Sequence, residues 1–170
     1  MALRIIGCGN FDRGDDAAGL LVVRHLRSLL VETLGVIPDL EITEQRGESF
    51  SSMDCLTNFD HVILVDATAP SGTPGQVQVW NAHADRLPED IFPSSTHAFG
   101  VREAVELARA MNRLPQVLLI YGIEGKRFVL GAPLSPEVEC AVASVAERLM
   151  TRVSDLLVKT SQRSRLAEMT

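Results

Sequence analysis

The chain has 170 residues, a length typical of one domain with a substantial buried core. Hydrophobic residues make up 46% of it and charged residues 22%, as in an ordinary globular α/β protein. The net charge of -6 argues against a nucleic-acid partner, because phosphate binding depends on clusters of Lys and Arg. No apolar run reaches the length of a membrane span and no signal segment opens the sequence, so we expect no membrane association.

The cysteines indicate a reducing compartment. Cys8, Cys55 and Cys140 are odd in number and have neither CxxC nor zinc-finger spacing, so a disulfide framework is not expected. We therefore expect a cytoplasmic protein.

The first forty residues predict a strand, a tight loop and a helix. Residues 3–8 form a short apolar run that fits a central parallel strand. Gly7 and Gly9 permit a sharp turn after it. Asp15 or Asp16 is then expected to cap an amphipathic helix that ends near residue 34, because apolar residues recur there at helical spacing.

The middle of the chain alternates between strands and turns. We predict a second strand over residues 40–44, followed by a loop over 45–47. A short helix over 49–56 and a further buried strand over 61–65 come next. Pro and Gly make 69–75 a surface turn. A turn of this length cannot contain a crossover, so the strand predicted over 76–80 should be antiparallel or at a sheet edge.

The last third predicts a helix over 99–111, a buried strand over 117–123 and a final helix that begins at Pro136 and ends near residue 158. The whole pattern indicates an α/β fold, a three-layer α/β/α sandwich around a mostly parallel twisted sheet of about five strands. We expect one catalytic domain over residues 1–158, followed by a polar tail over 159–170 that frays.

Three side chains occupy positions where such a sheet presents functional groups. Asp16 follows the first strand, Asp66 ends a buried strand, and His97 stands at the start of a predicted helix. Two carboxylates and an imidazole suit Ni, Zn, Mn or Fe. Each also has an ordinary structural explanation. Asp16 could complement the dipole at a helix N-terminus, Asp66 could be a capping residue in a turn, and His97 could be a hydrogen-bond donor at a helix start.

Other chemistry has less support. The Gly7-Cys8-Gly9 loop is a poor dinucleotide fingerprint, and the paired acids Asp15 and Asp16 would repel a pyrophosphate. Cys8 fits a small buried thiol better than a reactive one. No Ser or Cys lies in a G-x-S-x-G elbow, so an activated nucleophile is not indicated.

The motifs, in their order and spacing, resemble those of the hydrogenase maturation endopeptidases, which trim the large subunit of nickel-iron hydrogenases. The resemblance covers about residues 3–157 and rests on seven segments: 7–10 (Gly-Cys-Gly-Asn), 14–19 (Gly-Asp-Asp-Ala-Ala-Gly), 65–68 (Val-Asp-Ala-Thr), 74–75 (Pro-Gly), 95–97 (Ser-Thr-His), 122–125 (Gly-Ile-Glu-Gly) and 134–137 (Leu-Ser-Pro-Glu). The sequence departs from the family at residues 45–47, where Gln-Arg-Gly replaces an Asp-Gly-Gly type of turn, and at Asp16, where some relatives carry Glu.

The resemblance implies that Asp16, Asp66 and His97 are the metal-contacting and catalytic residues. It implies that the substrate is a hydrogenase large-subunit precursor already loaded with nickel, so that the nickel belongs to the substrate and no organic cofactor is needed. The reaction would release a C-terminal peptide by aspartic-type, metal-assisted hydrolysis. We expect the protein to act as a monomer.

Two alternatives use the same residues. A phospho-acceptor receiver domain would use Asp15 and Asp16 as its acidic pair, Asp66 as acceptor and Lys126 as its lysine, but the acidic pair lies too far after the first strand. A peptidyl-tRNA hydrolase shares the Gly-x-Gly-Asn opening, but its substrate requires a basic surface.

Overall fold

The structure is a computed structural model that describes residues 2–46, 55–92 and 100–167, with side chains described as far as residue 158. Its five strands are β1 (Leu3–Gly9), β2 (Leu40–Arg46), β3 (His61–Thr68), β4 (Val77–Asn81) and β5 (Val117–Glu124). Its α-helices are α1 (Ala18–Thr33), α2 (Val101–Ala110) and α3 (Pro136–Ala167). A short 3-10 helix, Gly14–Ala17, precedes α1. Within the described part of the chain, no helix has the length and apolar character needed to cross a bilayer.

The strands form one sheet in the order β2-β1-β3-β5-β4. Neighbouring strands are parallel except for β4, which is antiparallel to β5 at the sheet edge. The predicted three-layer α/β/α fold and the predicted edge position of β4 are therefore confirmed. The turn between β3 and β4 is too short for a helical crossover, which explains the change of direction.

Two apolar layers cover the sheet. On one face, side chains such as Ile5, Ile63 and Val65 pack with α1 and α3. On the other face, side chains such as Ile6 and Leu64 pack with α2. Because successive strand residues point to opposite faces, both sets come from the same continuous apolar runs, as expected for central parallel strands.

Helix α1 packs directly on the backbone of the sheet because its second residue is Gly19. A side chain at Gly19 would collide with the backbone carbonyls of Val65 and Cys8. This contact fixes the helix directly over β1 and β3. It also fixes the 3-10 helix just before it, and with it Asp16, at the carboxyl end of β1.

Three element predictions need correction. The N-cap residues of the 3-10 helix and of α1 are Arg13 and Ala17, so neither Asp15 nor Asp16 holds the predicted capping position. Residues 45 and 46 belong to β2 rather than to a loop, because they pair with Cys8 and Gly9 of β1. The final helix continues to Ala167, beyond the predicted end near residue 158, since no Gly or Pro interrupts it. The short helix predicted over 49–56 falls mainly on residues outside the described part.

Candidate active site

Asp66 lies at the carboxyl end of the sheet, near the end of the central strand β3. Its register partner on β5 is Gly122. Its Oδ1 accepts a hydrogen bond of 2.8 Å from the N–H of Ala67, which fixes the orientation of the carboxyl group. Because strand residues alternate, Asp66 faces the same side of the sheet as Leu64, the side covered by α2.

Asp16 reaches the same edge through a tight turn. The N–H of Asn10 donates to the backbone oxygen of Asp16 at 3.1 Å. The turn requires Gly9, whose φ is 138° and whose missing side chain would overlap that same oxygen. Gly7, two residues earlier, pairs with Val65 of β3, so the turn brings Asp16 to the strand end that carries Asp66.

The two carboxyl groups interact electrostatically. Burial raises the pKa of Asp66, and the negative charge of Asp16 raises it further, to about 8. Asp66 as a whole residue is half-buried. Its carboxyl group is nevertheless enclosed by protein, and this burial disfavours the charged form. At neutral pH Asp66 therefore holds a proton that it can exchange, as acid–base catalysis requires.

An aromatic wall contributes to this environment. A side chain at Gly122 would collide with the indole ring of Trp80, so the ring lies directly beside the register partner of Asp66. Trp80 packs in turn against Phe92, with ring centroids 5.7 Å apart. The sequence did not predict this wall, because it indicates only that Trp80 belongs to a half-buried edge strand.

Asp15 has a structural role that the sequence did not reveal. It is fully buried, and its carboxylate accepts bonds from the N–H groups of Lys126, Arg127 and Ser135 at 2.8, 2.9 and 2.6 Å. The Ser135 hydroxyl donates a fourth bond at 2.8 Å. Burial by itself would raise the pKa of Asp15, but these hydrogen bonds outweigh it and hold the pKa below its usual value. Asp15 therefore joins the loop after β1 to the loop before α3.

The thiol of Cys8 is not poised for nucleophilic attack. Cys8 is buried, and burial together with the charge of Asp66 raises the pKa of its thiol well above the ordinary value. A thiol in this state stays protonated at neutral pH. The structure thus supports the interpretation of Cys8 as a small buried side chain.

His97, the third predicted site residue, lies outside the described residues. Helix α2, which follows it, leads into β5 and therefore begins at the carboxyl end of the sheet. Within the described ranges, no group of three His, Cys, Asp or Glu side chains is arranged to hold a metal ion. The structure places the charge of Asp16 close enough to raise the pKa of Asp66, and the catalytic and metal-contacting roles of Asp16, Asp66 and His97 stay predictions.

Lys126 does not behave as the lysine of a receiver domain would. Its ammonium group binds Glu137 at the start of α3, at 2.8 Å, while its backbone N–H donates to Asp15. This arrangement gives no support to the phospho-acceptor alternative.

The known family model for hydrogenase maturation protease (HycI) matches residues 39–152, which is more than half of the chain. The chain belongs to this family. The resemblance found in the sequence is confirmed, and with it the assignment as a peptidase, a hydrogenase maturation endopeptidase. No curated protein sequence matches the chain significantly.

Solved structures of hydrogenase maturation proteases have the same fold. The endopeptidase HybD from E. coli superposes with a TM-score of 0.69 at 19% identity, over 91% of this chain and 93% of that one. HycI from Thermococcus kodakarensis gives a TM-score of 0.64 at 24% identity, over 88% and 90%. HybD from the same archaeon gives 0.65 at 23%, over 89% and 98%. At such identities the likeness establishes the fold alone.

Proposed function

We propose that this hydrogenase maturation protease removes a C-terminal extension from the large-subunit precursor of a nickel-iron hydrogenase after nickel has been inserted. Asp16, Asp66 and His97 contact the nickel of the substrate, and they are also the catalytic residues. The single observation that carries the proposal is the pairing of Asp16 and Asp66 at the carboxyl end of the sheet, in a chain of this family.

The two carboxyl groups are suited to a ligand that arrives with positive charge. In the free protein the charge of Asp16 and the surroundings of Asp66 keep one proton on the pair. A cation placed between them would favour loss of that proton, because an opposite charge stabilises the ionised carboxylate. The site therefore distinguishes a metal-loaded precursor from an empty one by electrostatics, which supports a proofreading function.

Asp66 also has the properties of a proton-transfer group. The pKa of about 8 keeps Asp66 protonated in the free protein. Once the nickel of a bound substrate has displaced that proton, Asp66 can take a proton from an attacking water and return it to the leaving amine. The nickel of the substrate would polarise the scissile carbonyl or lower the pKa of that water. The Ala67 N–H holds one oxygen of Asp66, so the other oxygen is left to face the substrate.

A processing assay tests the proposal. The protein is mixed with a nickel-loaded large-subunit precursor and, separately, with the metal-free precursor, and the products are followed by intact mass. We expect loss of a C-terminal peptide from the loaded form only. Cleavage of both forms at equal rates would contradict recognition through nickel, and cleavage of neither would contradict the proposed reaction.

The assignment of His97 is tested in the same assay. His97→Ala should abolish processing while the circular dichroism spectrum stays that of the parent protein. His25→Ala is the matched control, since His25 is exposed on α1 and should process at the parent rate. An unaltered rate for His97→Ala would remove His97 from the site.

A further inference from the structure

The indole ring of Trp80 lies close to Asp66, above the neighbouring strand β5. Gly122 of β5 is the register partner of Asp66. A Cβ atom at Gly122 would lie 2.7 Å from Cζ3 of Trp80 and 3.0 Å from Cη2, so the edge of the ring covers the place where Gly122 has no side chain. Neighbouring strands are about 4.8 Å apart, so about two residues of an extended peptide reach from Asp66 to the ring.

Trp80 and Asp66 also share one face of the sheet. Ile120 and Leu64, which pack in the layer covered by α2, come two residues before Gly122 and Asp66. Because side chains alternate along a strand, Gly122 and Asp66 face that layer as well. Trp80 packs against the same layer. The indole and the carboxyl group of Asp66 therefore lie side by side on the α2 face.

The surface around Gly122 is apolar and only partly covered. The Cβ position at Gly122 would also lie 2.5 Å from Cγ2 of Thr68, so a methyl group flanks the indole. Phe92 supports the ring from another side, with centroids 5.7 Å apart. Phe92 is buried whereas Trp80 is half-buried, so part of Trp80 is open to solvent. A supported aromatic ring with an open part beside a reacting group is suited to binding an apolar side chain.

The strand order indicates which part of the substrate reaches Trp80. In the order β2-β1-β3-β5-β4, Asp16 follows β1 and Trp80 belongs to β4, so the two lie on opposite sides of Asp66. The proposed nickel position is between Asp16 and Asp66, on the β1 side. Since the nickel stays with the large subunit, the extension lies on the other side of the scissile bond, toward β5 and β4.

We propose that Trp80 binds an apolar side chain at the first or second residue of the extension. The inference rests on the proposed function, because it names a part of the same substrate and the side chain that holds it. Trp80 is a specificity-determining residue in this account: it contacts the extension and takes no part in proton transfer.

The substrate side is tested with two nickel-loaded precursors that differ only at the first two residues of the extension. One carries Leu at both positions, and the other carries Asn, which is similar in size but polar and uncharged. We expect the parent protein to process the Leu precursor with a kcat/KM about 10-fold higher, because the indole buries part of the Leu side chains.

The protein side is tested with Trp80→Ala on the same two precursors. Removal of the ring should lower kcat/KM for the Leu precursor about 10-fold and change that for the Asn precursor by less than about three-fold, so that the preference disappears. Trp80→Phe keeps an apolar ring and should keep most of the preference. Val79→Ala is the matched control and should process both precursors as the parent does. Val79 is the neighbouring residue on β4, is 41% exposed and points to the opposite face of the sheet.

Circular dichroism shows whether the variants are folded, since Trp80 also packs against Phe92. Where Trp80→Ala does not fold, Trp80→Gln takes its place, because it keeps more of the side-chain volume while removing the apolar ring. It should lose the same preference. The response of the parent protein to the two precursors requires no variant, so the inference can fail on that measurement alone.

The outcomes distinguish this inference from the proposed function. If the parent protein processes no nickel-loaded precursor, including the natural one, the proposed function is wrong. If it processes the natural precursor but does not distinguish Leu from Asn, or if folded variants without the ring keep the full preference, the proposed function stands and this inference is wrong. A preference that depends on Trp80 only when the exchange is made before the scissile bond would also overturn it, because the indole would then hold the large-subunit side.

Discussion

The carboxylate of Asp15 accepts two hydrogen bonds from Ser135, which lies 120 residues away in sequence: one from the backbone N–H, at 2.6 Å, and one from the hydroxyl, at 2.8 Å. Because Asp16 follows directly, the position of a proposed catalytic carboxylate depends on a bond to the start of the last helix. The two adjacent acids thus differ: Asp15 is buried and structural, and Asp16 is the one that we propose to contact the substrate.

The first prediction concerns this buried carboxylate. Asp15→Ala leaves four donors in the interior without their acceptor, and we expect a loss of about 3–5 kcal/mol in the free energy of unfolding. Urea denaturation measures it. Asp12→Asn is the control, because Asp12 is exposed and should change stability by less than about 0.5 kcal/mol. Equal stability of the two variants would show that the Asp15 bonds contribute nothing.

The second prediction concerns pH. The folded pKa of Asp66, about 8, lies above the ordinary value of 3.8, so the folded state binds this proton more tightly than the unfolded state. The contribution of Asp66 to stability is therefore fully present below pH 4 and is lost as the pH rises toward 8 and above. The Asp66→Asn side chain cannot ionise, so its stability does not fall in this way. The free energy of unfolding of Asp66→Asn, relative to that of the parent protein, should rise by on the order of 2–3 kcal/mol between pH 5 and pH 9, allowing for partial solvent screening.

Urea denaturation of both proteins at pH 5, 7 and 9 measures this difference. Titrating groups that do not interact with Asp66 affect both proteins alike and cancel in the comparison. A stability difference that is constant with pH would mean that Asp66 titrates as an ordinary carboxyl group.

The sequence predicted the order and type of the main elements because central parallel strands are continuous apolar runs and their helices are amphipathic. It placed Asp66 near the carboxyl end of β3, since the position follows from where the apolar run ends, although the strand continues to Thr68. The same reasoning failed for residues 45 and 46: their place in β2 depends on pairing with β1 and on the bonds between Glu44 and Arg46, neither of which a local pattern contains.

Long-range polar contacts were the other limit of sequence reasoning. Asp15 looked like a helix cap because acids favour helix starts, yet its partners lie 111 to 120 residues away. Trp80 gave no sign that it lies beside the partner of Asp66. Local propensity carries no information on contacts of this kind, and they are the ones that shape the site.

The third prediction concerns the turn that carries Asp16. Gly9→Ala places a side chain against the backbone oxygen of Asp16 at a φ of 138°, so strain and overlap add. We expect a loss of roughly 2–4 kcal/mol, and slower processing even where the variant is folded, because Asp16 must move. Gly35→Ala is the matched control, because Gly35 also has a positive φ, 69°, but has open space around it. This substitution should lower the free energy of unfolding by only about 1 kcal/mol and leave processing unchanged. Equal effects of the two changes would show that the contact with Asp16 is unimportant.

The last prediction concerns Glu124 at the end of β5. Its buried carboxylate accepts hydrogen bonds from the N–H groups of Ser71, Gly72 and Thr73, each at 2.7 Å, and from the Ser71 hydroxyl. Glu124→Gln keeps an oxygen at Oε1 for the three N–H groups, but it removes the negative charge and replaces Oε2, the acceptor of the Ser71 hydroxyl, by an amide nitrogen. We therefore expect a loss of about 1–2 kcal/mol and faster hydrogen exchange at residues 71–73.

The carboxylate of Glu124 also predicts a dependence on pH. Burial alone would raise its pKa, but the bonds from Ser71 and its neighbours outweigh burial and lower the pKa below 4.5. The stabilisation is therefore present above pH 4.5 and is lost as the pH falls through the lowered folded pKa, so the turn should open first in acid. Glu41→Gln is the control, because Glu41 is 45% exposed, pairs with Arg4 and lies on β2, at the opposite edge of the sheet, so exchange at 71–73 should not change. Unchanged exchange in Glu124→Gln as well would show that the turn is held by its own Pro and Gly residues instead.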